Sequence, residues 1–290
     1  MLLFSAFVSG LGLGSMYGLL ALGFYVTYAV SSTVNFAQGS SMMLGAVLCY
    51  TFAVTLKWGV PLAIAAALAL CAAWGIAVER LAVRPFVRGG SNAWLMSTVA
   101  IGIILENAAL FWYGKEPRSL PSPLARQTIN VGGLGVYPLQ ILIPVVGLAL
   151  AVALHLVSQR TRRGKAMLAV VQNPDAARLM GIDVGAAITA SFAVSTVLAG
   201  VAGILIAPLF NVSADMGTLF GIKAFAVAIL GGITSPWGVV VAGFVYGLVE
   251  ALVTASMGSP YTQIVTFALV IVALAAMPTG LFGRAALKRV

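Results

Sequence analysis

The sequence predicts an all-α polytopic membrane protein: one bundle of about eight to nine transmembrane helices, some discontinuous, with short helices in one basic loop. Three observations carry this. The hydrophobic fraction is 61%, the charged fraction 8% and the mean hydropathy +1.07. An ordinary soluble domain has about 25% charged and about 45–50% apolar residues, so this chain has too little polar surface to cover a soluble monomer. Apolar runs of membrane length recur along the chain, and positive charge gathers in the short segments between them. No polar stretch is long enough for a separate domain, so residues 1–290 read as a single transmembrane domain.

A spanning helix needs roughly 20 apolar residues, because each residue rises about 1.5 Å through a core of about 30 Å. That ruler places spans near 4–30, 39–56, 60–80, 92–113, 139–158, 187–208, 217–233, 237–256 and 260–277. The run 4–30 is long enough to tilt or break. The run 217–233 is short and contains Lys223. The first thirty residues lack a basic leader and read as a retained first helix.

Charge orients the bundle. Arg80, Arg84 and Arg88 mark one loop, Arg160, Arg162, Arg163, Lys165 and Arg178 a second, and Arg284, Lys288 and Arg289 the C-terminal segment. The positive-inside rule puts all three in the cytoplasm, and even numbers of spans separate them, so charge and span order agree. The N-terminus and the Pro/Gly-rich loop 114–138 then lie outside, despite Lys115, Arg118 and Arg126. The net charge of +9 follows from this rule. Nucleic-acid binding would need aromatics interleaved with a basic face on a soluble fold, so no nucleic-acid partner is expected.

Gly10, Gly14 and Gly18 repeat on one helix face, as do Gly243 and Gly247, and Ala199 with Gly203 is similar. Such spacing lets helices approach closely in lipid. Cys49 and Cys71 fall in apolar segments and read as small buried hydrophobes. With His155 the single histidine, no zinc-type cluster can form, and no metal or other cofactor is expected. No phosphate-binding loop and no catalytic constellation is visible, so the chain does not read as an enzyme. Glu79, beside Arg80, reads as half of an interfacial ion pair. Glu106 and Glu250 read either as proton or ion sites or as helix-packing hydrogen bonds. His155 sits near a span end, where it caps or snorkels.

Three polar breaks interrupt the apolar runs: residues 31–39, 231–238 and 277–284. Broken backbone at membrane depth needs protein or a water-filled cavity to satisfy it, and such breaks often build transport pathways. Each also reads as a plain turn. Asn35, Gln38, Gly231 and Gly232 are the pathway candidates.

The loop 159–186 has its own order. Gly164 to Val171 forms one short helix. Asn173 and Pro174 start a second as N-cap and first-turn proline, and Gly181 stops it. Met167, Leu168, Leu179 and Met180 offer apolar contact beside the cations, either to a docking partner or to anionic lipid.

Six segments, in order, resemble the permeases of branched-chain amino-acid ABC importers of the LivH type. They are Val34-Asn-Phe-Ala-Gln-Gly39, Val78-Glu-Arg-Leu-Ala-Val-Arg-Pro-Phe86, Arg163-Gly-Lys-Ala with residues 172–183, Gly221-Ile-Lys-Ala-Phe225, Ile229-Leu-Gly-Gly-Ile-Thr-Ser235, and Met277-Pro-Thr-Gly-Leu-Phe-Gly283. The resemblance implies a permease in the bacterial inner membrane with a cytoplasmic coupling helix. Its partners would be a second homologous permease, two cytoplasmic ATPase subunits and a periplasmic substrate-binding protein. Arg163, Gly164, Asn173, Pro174, Asp175, Arg178 and Gly181 would couple it to the ATPases. Gln38 and Ser40 stand where the family often has His and an acid, and Trp237 is a further departure. The expected cargo is therefore branched-chain or other small amino acids, with urea or amides as an alternative. A secondary transporter or channel without an ATPase is the alternative from another class, and the ordered loop distinguishes the two.

Overall fold

The computed structural model describes residues 2–283 apart from Arg126, Gly132, Gly133 and Pro278. The cations Arg284, Lys288 and Arg289 lie outside the described residues, as does Arg126. Among the described residues twelve α-helices run in order: α1 Leu2–Ser31, α2 Gln38–Tyr50, α3 Val60–Val78, α4 Arg84–Arg88, α5 Trp94–Tyr113, α6 Pro138–Arg160, α7 Arg162–Gln172, α8 Pro174–Leu179, α9 Val184–Ile206, α10 Met216–Gly231, α11 Pro236–Met257 and α12 Ser259–Ala276. A small antiparallel hairpin, β1 Ile129–Val131 with β2 Leu134–Val136, sits between α5 and α6.

Seven helices are long and apolar enough to cross a membrane among the described residues, fewer than the eight or nine expected. The other two expected spans are present as helices of a different kind. α2 opens on the polar and small residues Gln38, Gly39, Ser40 and Ser41, and continues past Tyr50 as a π-helical turn, Thr51–Thr55. α10 has only 16 residues. α1, expected to tilt or break, is one unbroken helix of 30 residues. α3 runs on through a π-helical turn, Glu79–Val83, into α4, making a rod from Val60 to Arg88.

α1 forms the centre, with Met16, Tyr17, Leu20, Ala21 and Phe24 almost wholly buried. α11 lies antiparallel against it, and the two glycine repeats face each other. A Cβ on Gly14 would stand 2.7 Å from Phe244 Cα, and one on Gly247 2.3 Å from Gly14 Cα. No side chain larger than hydrogen fits there, so the spacing read from sequence is the helix interface itself. α9 meets α2 in the same way: a Cβ on Gly45 would stand 2.5 Å from Gly200 Cα. Cys49 and Cys71 are buried and free.

The two basic loops meet at one end of the bundle. Arg84, Arg88, Arg178 and Asp183 line one hollow there. At the other end, Arg118 pairs backbone to backbone with Val212. Its guanidinium donates to the Tyr113 carbonyl at 2.8 Å and lies 4.7 Å from the Tyr113 ring centroid.

Candidate functional site

Three features of this bundle have chemistry beyond packing: the break after α1, a cavity beside it, and the paired short helices at the basic end.

The break spans Ser32–Ala37, where Val34, Asn35 and Ala37 are buried. It folds back into the bundle instead of turning outside it. Gln38 Nε2 donates to the Ser195 carbonyl at 3.0 Å. The Ser195 hydroxyl donates to Gln38 Oε1 at 2.8 Å and lies 2.9 Å from the Gly23 carbonyl. Gly23 precedes the end of α1 by eight residues, so Gln38 sits roughly 12 Å inside that end at about 1.5 Å per residue. α2 is therefore discontinuous with α1 at depth. Its start is tied to α1 and α9 by side chains, as an apolar surround requires. Asn35 Oδ1 accepts from the Ala37 amide at 3.1 Å and shapes the turn. Its amide nitrogen Nδ2 is buried with no hydrogen-bond partner among the described residues.

Beside this break lies a cavity of about 330 Å³, walled by Gly39 and Ser40 of α2, Gly102, Ile103 and Glu106 of α5, and Gly217, Thr218 and Gly221 of α10. Phe24, Phe36 and Phe225 also line it. Ser40 Oγ donates to Glu106 Oε1 at 3.1 Å, and Thr218 Oγ1 lies 2.9 and 2.8 Å from the two carboxylate oxygens. The packing-hydrogen-bond reading of Glu106 is thus met, but on a cavity wall. Its neighbours Ser40 and Thr218 are contributed by other helices, and sequence reasoning did not connect the three.

Of the four pathway candidates, Asn35 and Gln38 come together at this break. Gly231 and Gly232 lie at the α10–α11 turn, where Leu281 N donates to the Leu230 carbonyl at 2.7 Å. Gly232 has φ +83°, and a Cβ there would meet the Gly283 backbone at 2.4 Å. The cavity wall includes none of these four residues.

Glu79 and Glu250, the other two acids in or beside spans, are ion-paired. Glu79, expected to pair with Arg80, instead takes Arg84 Nε at 2.9 Å and Nη2 at 3.0 Å. The π-helical turn explains the correction, because its wider winding brings residue i+5 alongside residue i. Thr189 of α9 bridges the pair, accepting from Arg84 at 2.8 Å and donating to Glu79 at 3.0 Å. Glu250 of α11 meets Lys223 of α10 at 2.5 Å, both largely buried. His155 stacks obliquely 5.6 Å from Trp237, and both line an apolar groove under α7.

At the basic end, α7 is longer than expected and begins at Arg162. Thr161 caps it, accepting from the Gly164 amide at 2.9 Å. Asn173 caps α8, accepting from Asp175 and Ala176 amides at 3.1 and 3.0 Å. Gly181, with φ +79°, ends it: the Gly181 amide donates to Arg178 O and Ile182 to Ala177 O, both at 3.0 Å. Those two bonds are the Schellman pattern. Asp183 then caps α9, accepting from Ala186 at 2.9 Å. Val170 and Ala177 pack with Val184 and Ala187, so the helix pair is seated on the bundle. The apolar residues divide: Met167 packs inward on that seat and Leu168 lines the groove, while Leu179 and Met180 are 90% and 77% exposed. Arg178 pairs with Asp175 at 2.9 Å on the exposed face.

A helical membrane bundle with a mostly apolar cavity at a helix break that holds the polar trio Ser40, Glu106 and Thr218, and with a rigid helix pair presented at one end, has the build of a polytopic transport protein. The chain belongs to the branched-chain amino acid transport system / permease component family, whose model matches residues 6–274. It is 33% identical to the high-affinity branched-chain amino acid transport system permease protein BraD of Pseudomonas aeruginosa, over 98% of this chain and 96% of that one. It is 31% identical to LivH of Escherichia coli K12, over 97% and 96% of the two chains. Among solved structures it is similar to a chain of PsaBC from Streptococcus pneumoniae in complex with Fab, with TM-score 0.50, 12% identity and coverage of 97% and 94%. That likeness concerns the fold alone.

Proposed function

We propose that this chain is the membrane-spanning permease subunit of an ABC importer in the bacterial inner membrane. It translocates branched-chain or other small amino acids from a periplasmic binding protein into the cytoplasm. ATP is hydrolysed by two separate cytoplasmic subunits, and a second homologous permease completes the pathway. The observation that carries the reading is the α7–α8 pair, capped at Thr161 and Asn173, stopped at Gly181, seated by Val170 and Ala177, and exposing Leu179 and Met180. A carrier that needs no ATPase has no use for such a rigid, partly apolar projection. The family membership and the relatives' names support the same reading. The route runs past Asn35 and Gln38 and the Glu106 cavity. Gly231 and Gly232 keep the α10–α11 turn compact near its inner end.

The test is uptake by the reconstituted assembly in which the ATPase partners carry a substitution of their phosphate-binding lysine. Uptake is expected to fall to background. Uptake that persists at the unsubstituted rate promotes the ATPase-independent carrier instead. Orientation has its own check. In a chain with Cys49→Ala and Cys71→Ala, single replacements Ser122→Cys and Arg162→Cys are probed with a membrane-impermeant thiol reagent on intact cells. Labelling at position 122 and none at 162 is expected from the charge asymmetry; the reverse pattern inverts the topology.

A further inference from the structure

We propose that Glu106 is the point in the membrane where the permease receives a primary ammonium group of its cargo. The inference deepens the transport reading and rests on it for what the cargo is, but the cation preference of the cavity is testable without transport.

Glu106 lies 12 residues after the start of α5, roughly 18 Å along the helix at about 1.5 Å per residue, which is close to mid-membrane. A carboxylate at that depth is costly unless a positive or hydrogen-bonding partner is supplied. Glu79 has Arg84 and Glu250 has Lys223, whereas the groups hydrogen-bonded to Glu106 among the described residues are the hydroxyls of Ser40 and Thr218. Each hydroxyl donates one proton, and an ionised carboxylate accepts about four hydrogen bonds. About two acceptor positions are therefore open, and Glu106 stands on the cavity wall.

The rest of the wall suits an ammonium head. Phe24, Phe36 and Phe225 present aromatic rings, whose faces attract a desolvated cation. Gly39, Gly217 and Gly221 bring α2 and α10 into backbone contact beside Glu106: a Cβ on Gly39 would stand 2.9 Å from Gly221 Cα. The volume of about 330 Å³ lies at the small end of the roughly 300–1,000 Å³ of small-molecule sites. A hard divalent ion takes six to eight oxygens, more than one carboxylate and two hydroxyls provide. An amine on an apolar body matches both halves of the cavity: N–H donors towards Glu106, carbon against the phenyl rings.

The experiment uses the full assembly with Cys49→Ala, Cys71→Ala and a reporter, Ile103→Cys, at a position that lines the cavity and is 54% exposed. Modification rates are compared for cationic and anionic methanethiosulfonates of similar size, each relative to a free thiol. A preference for the cation of about tenfold or more is expected from one nearby charge of opposite sign. Glu106→Gln keeps the shape and an acceptor oxygen for Ser40 and Thr218, so it should fold with an unchanged thermal midpoint yet lose that preference. Glu106→Asp should keep part of it. In a second arm, isobutylamine slows modification of the Glu106 protein, isobutyrate does not, and Glu106→Gln abolishes the protection. Equal reagent ratios with Glu and Gln, or protection by the amine that survives Glu106→Gln, overturns the proposal. The ATP requirement of uptake is measured on the unsubstituted chain, so failure of the importer reading shows there and not in these ratios.

Discussion

Glu250→Ala is expected to destabilise the folded bundle by about 3–5 kcal/mol, the typical cost of stranding one charge of a buried pair. Lys223 Nζ and Glu250 Oε1 are 2.5 Å apart, with side chains 5% and 11% exposed. Removing the carboxylate leaves the buried ammonium without its counter-charge, with the Tyr17 ring centroid 6.0 Å away. The Lys223 side chain is only 5% exposed, so solvent compensates little of the loss. The double replacement Lys223→Met with Glu250→Met is expected to recover most of the loss, because neither charge then needs solvation. Thermal unfolding in detergent, followed by size-exclusion, reads both. A single replacement that shifts the midpoint no more than a surface change would sink the pairing. The polar environment of that pair extends further: Glu250 Oε2 and the hydroxyls of Tyr17 and Tyr246 are buried with no hydrogen-bond partner among the described residues, and the two tyrosine rings meet edge to face at 5.3 Å.

Lys223 and Glu250 also mark the limit of what sequence can say. Each is legible as an odd charge in an apolar run, but they are 27 residues apart on different helices, and their meeting depends on how α10 lies against α11. Glu79 shows a second kind of limit. Its neighbour Arg80 suggests a pair, yet a single π-helical turn changes the winding and selects Arg84. Local signals fare better. The Asn173 cap, Pro174 and the Gly181 stop act within a few residues, so they are readable from the chain and recur in the structure. The glycine repeats are readable as helix contacts, but not that α1 and α11 are each other's partner. The break after α1 is visible as polar sequence. Its depth is not, because Gln38 is held there by Ser195, 157 residues away. The Glu106 cavity has the same character, drawing its hydroxyls from α2 and α10.

Disrupting the α7–α8 pair should abolish uptake while leaving the permease in the membrane. Two positions test it by different physics. Gly181 has φ +79° and nothing within 4 Å of a built Cβ, so a substitution there is opposed by backbone conformation alone. Gly181→Val places a β-branched residue in the left-handed region, at a cost of about 1–2 kcal/mol or more. That weakens the end of α8 and the placement of Leu179 and Met180. Gly164 has an ordinary helical conformation and no room: a Cβ would lie 2.1 Å from the Val157 carbonyl and 2.5 Å from Ser158 Cα. Gly164→Leu must therefore lift α7 from the end of α6. Because the clash is with backbone, no rotamer relieves it, and the larger effect is expected here. Substrate-stimulated ATPase activity and uptake should fall together, by roughly tenfold for Gly181→Val, the factor that about 1.4 kcal/mol represents, and to background for Gly164→Leu. Arg178→Glu makes the intermediate case. It replaces the Asp175–Arg178 pair with two like charges on the exposed face, so it alters the surface a partner meets without straining the backbone. If ATP hydrolysis continues at the full stimulated rate while uptake stops, the helix pair transmits motion but does not sense it. Full uptake in a correctly inserted Gly164→Leu protein would remove the coupling role from this loop altogether, and with it the physical ground for an ATPase partner.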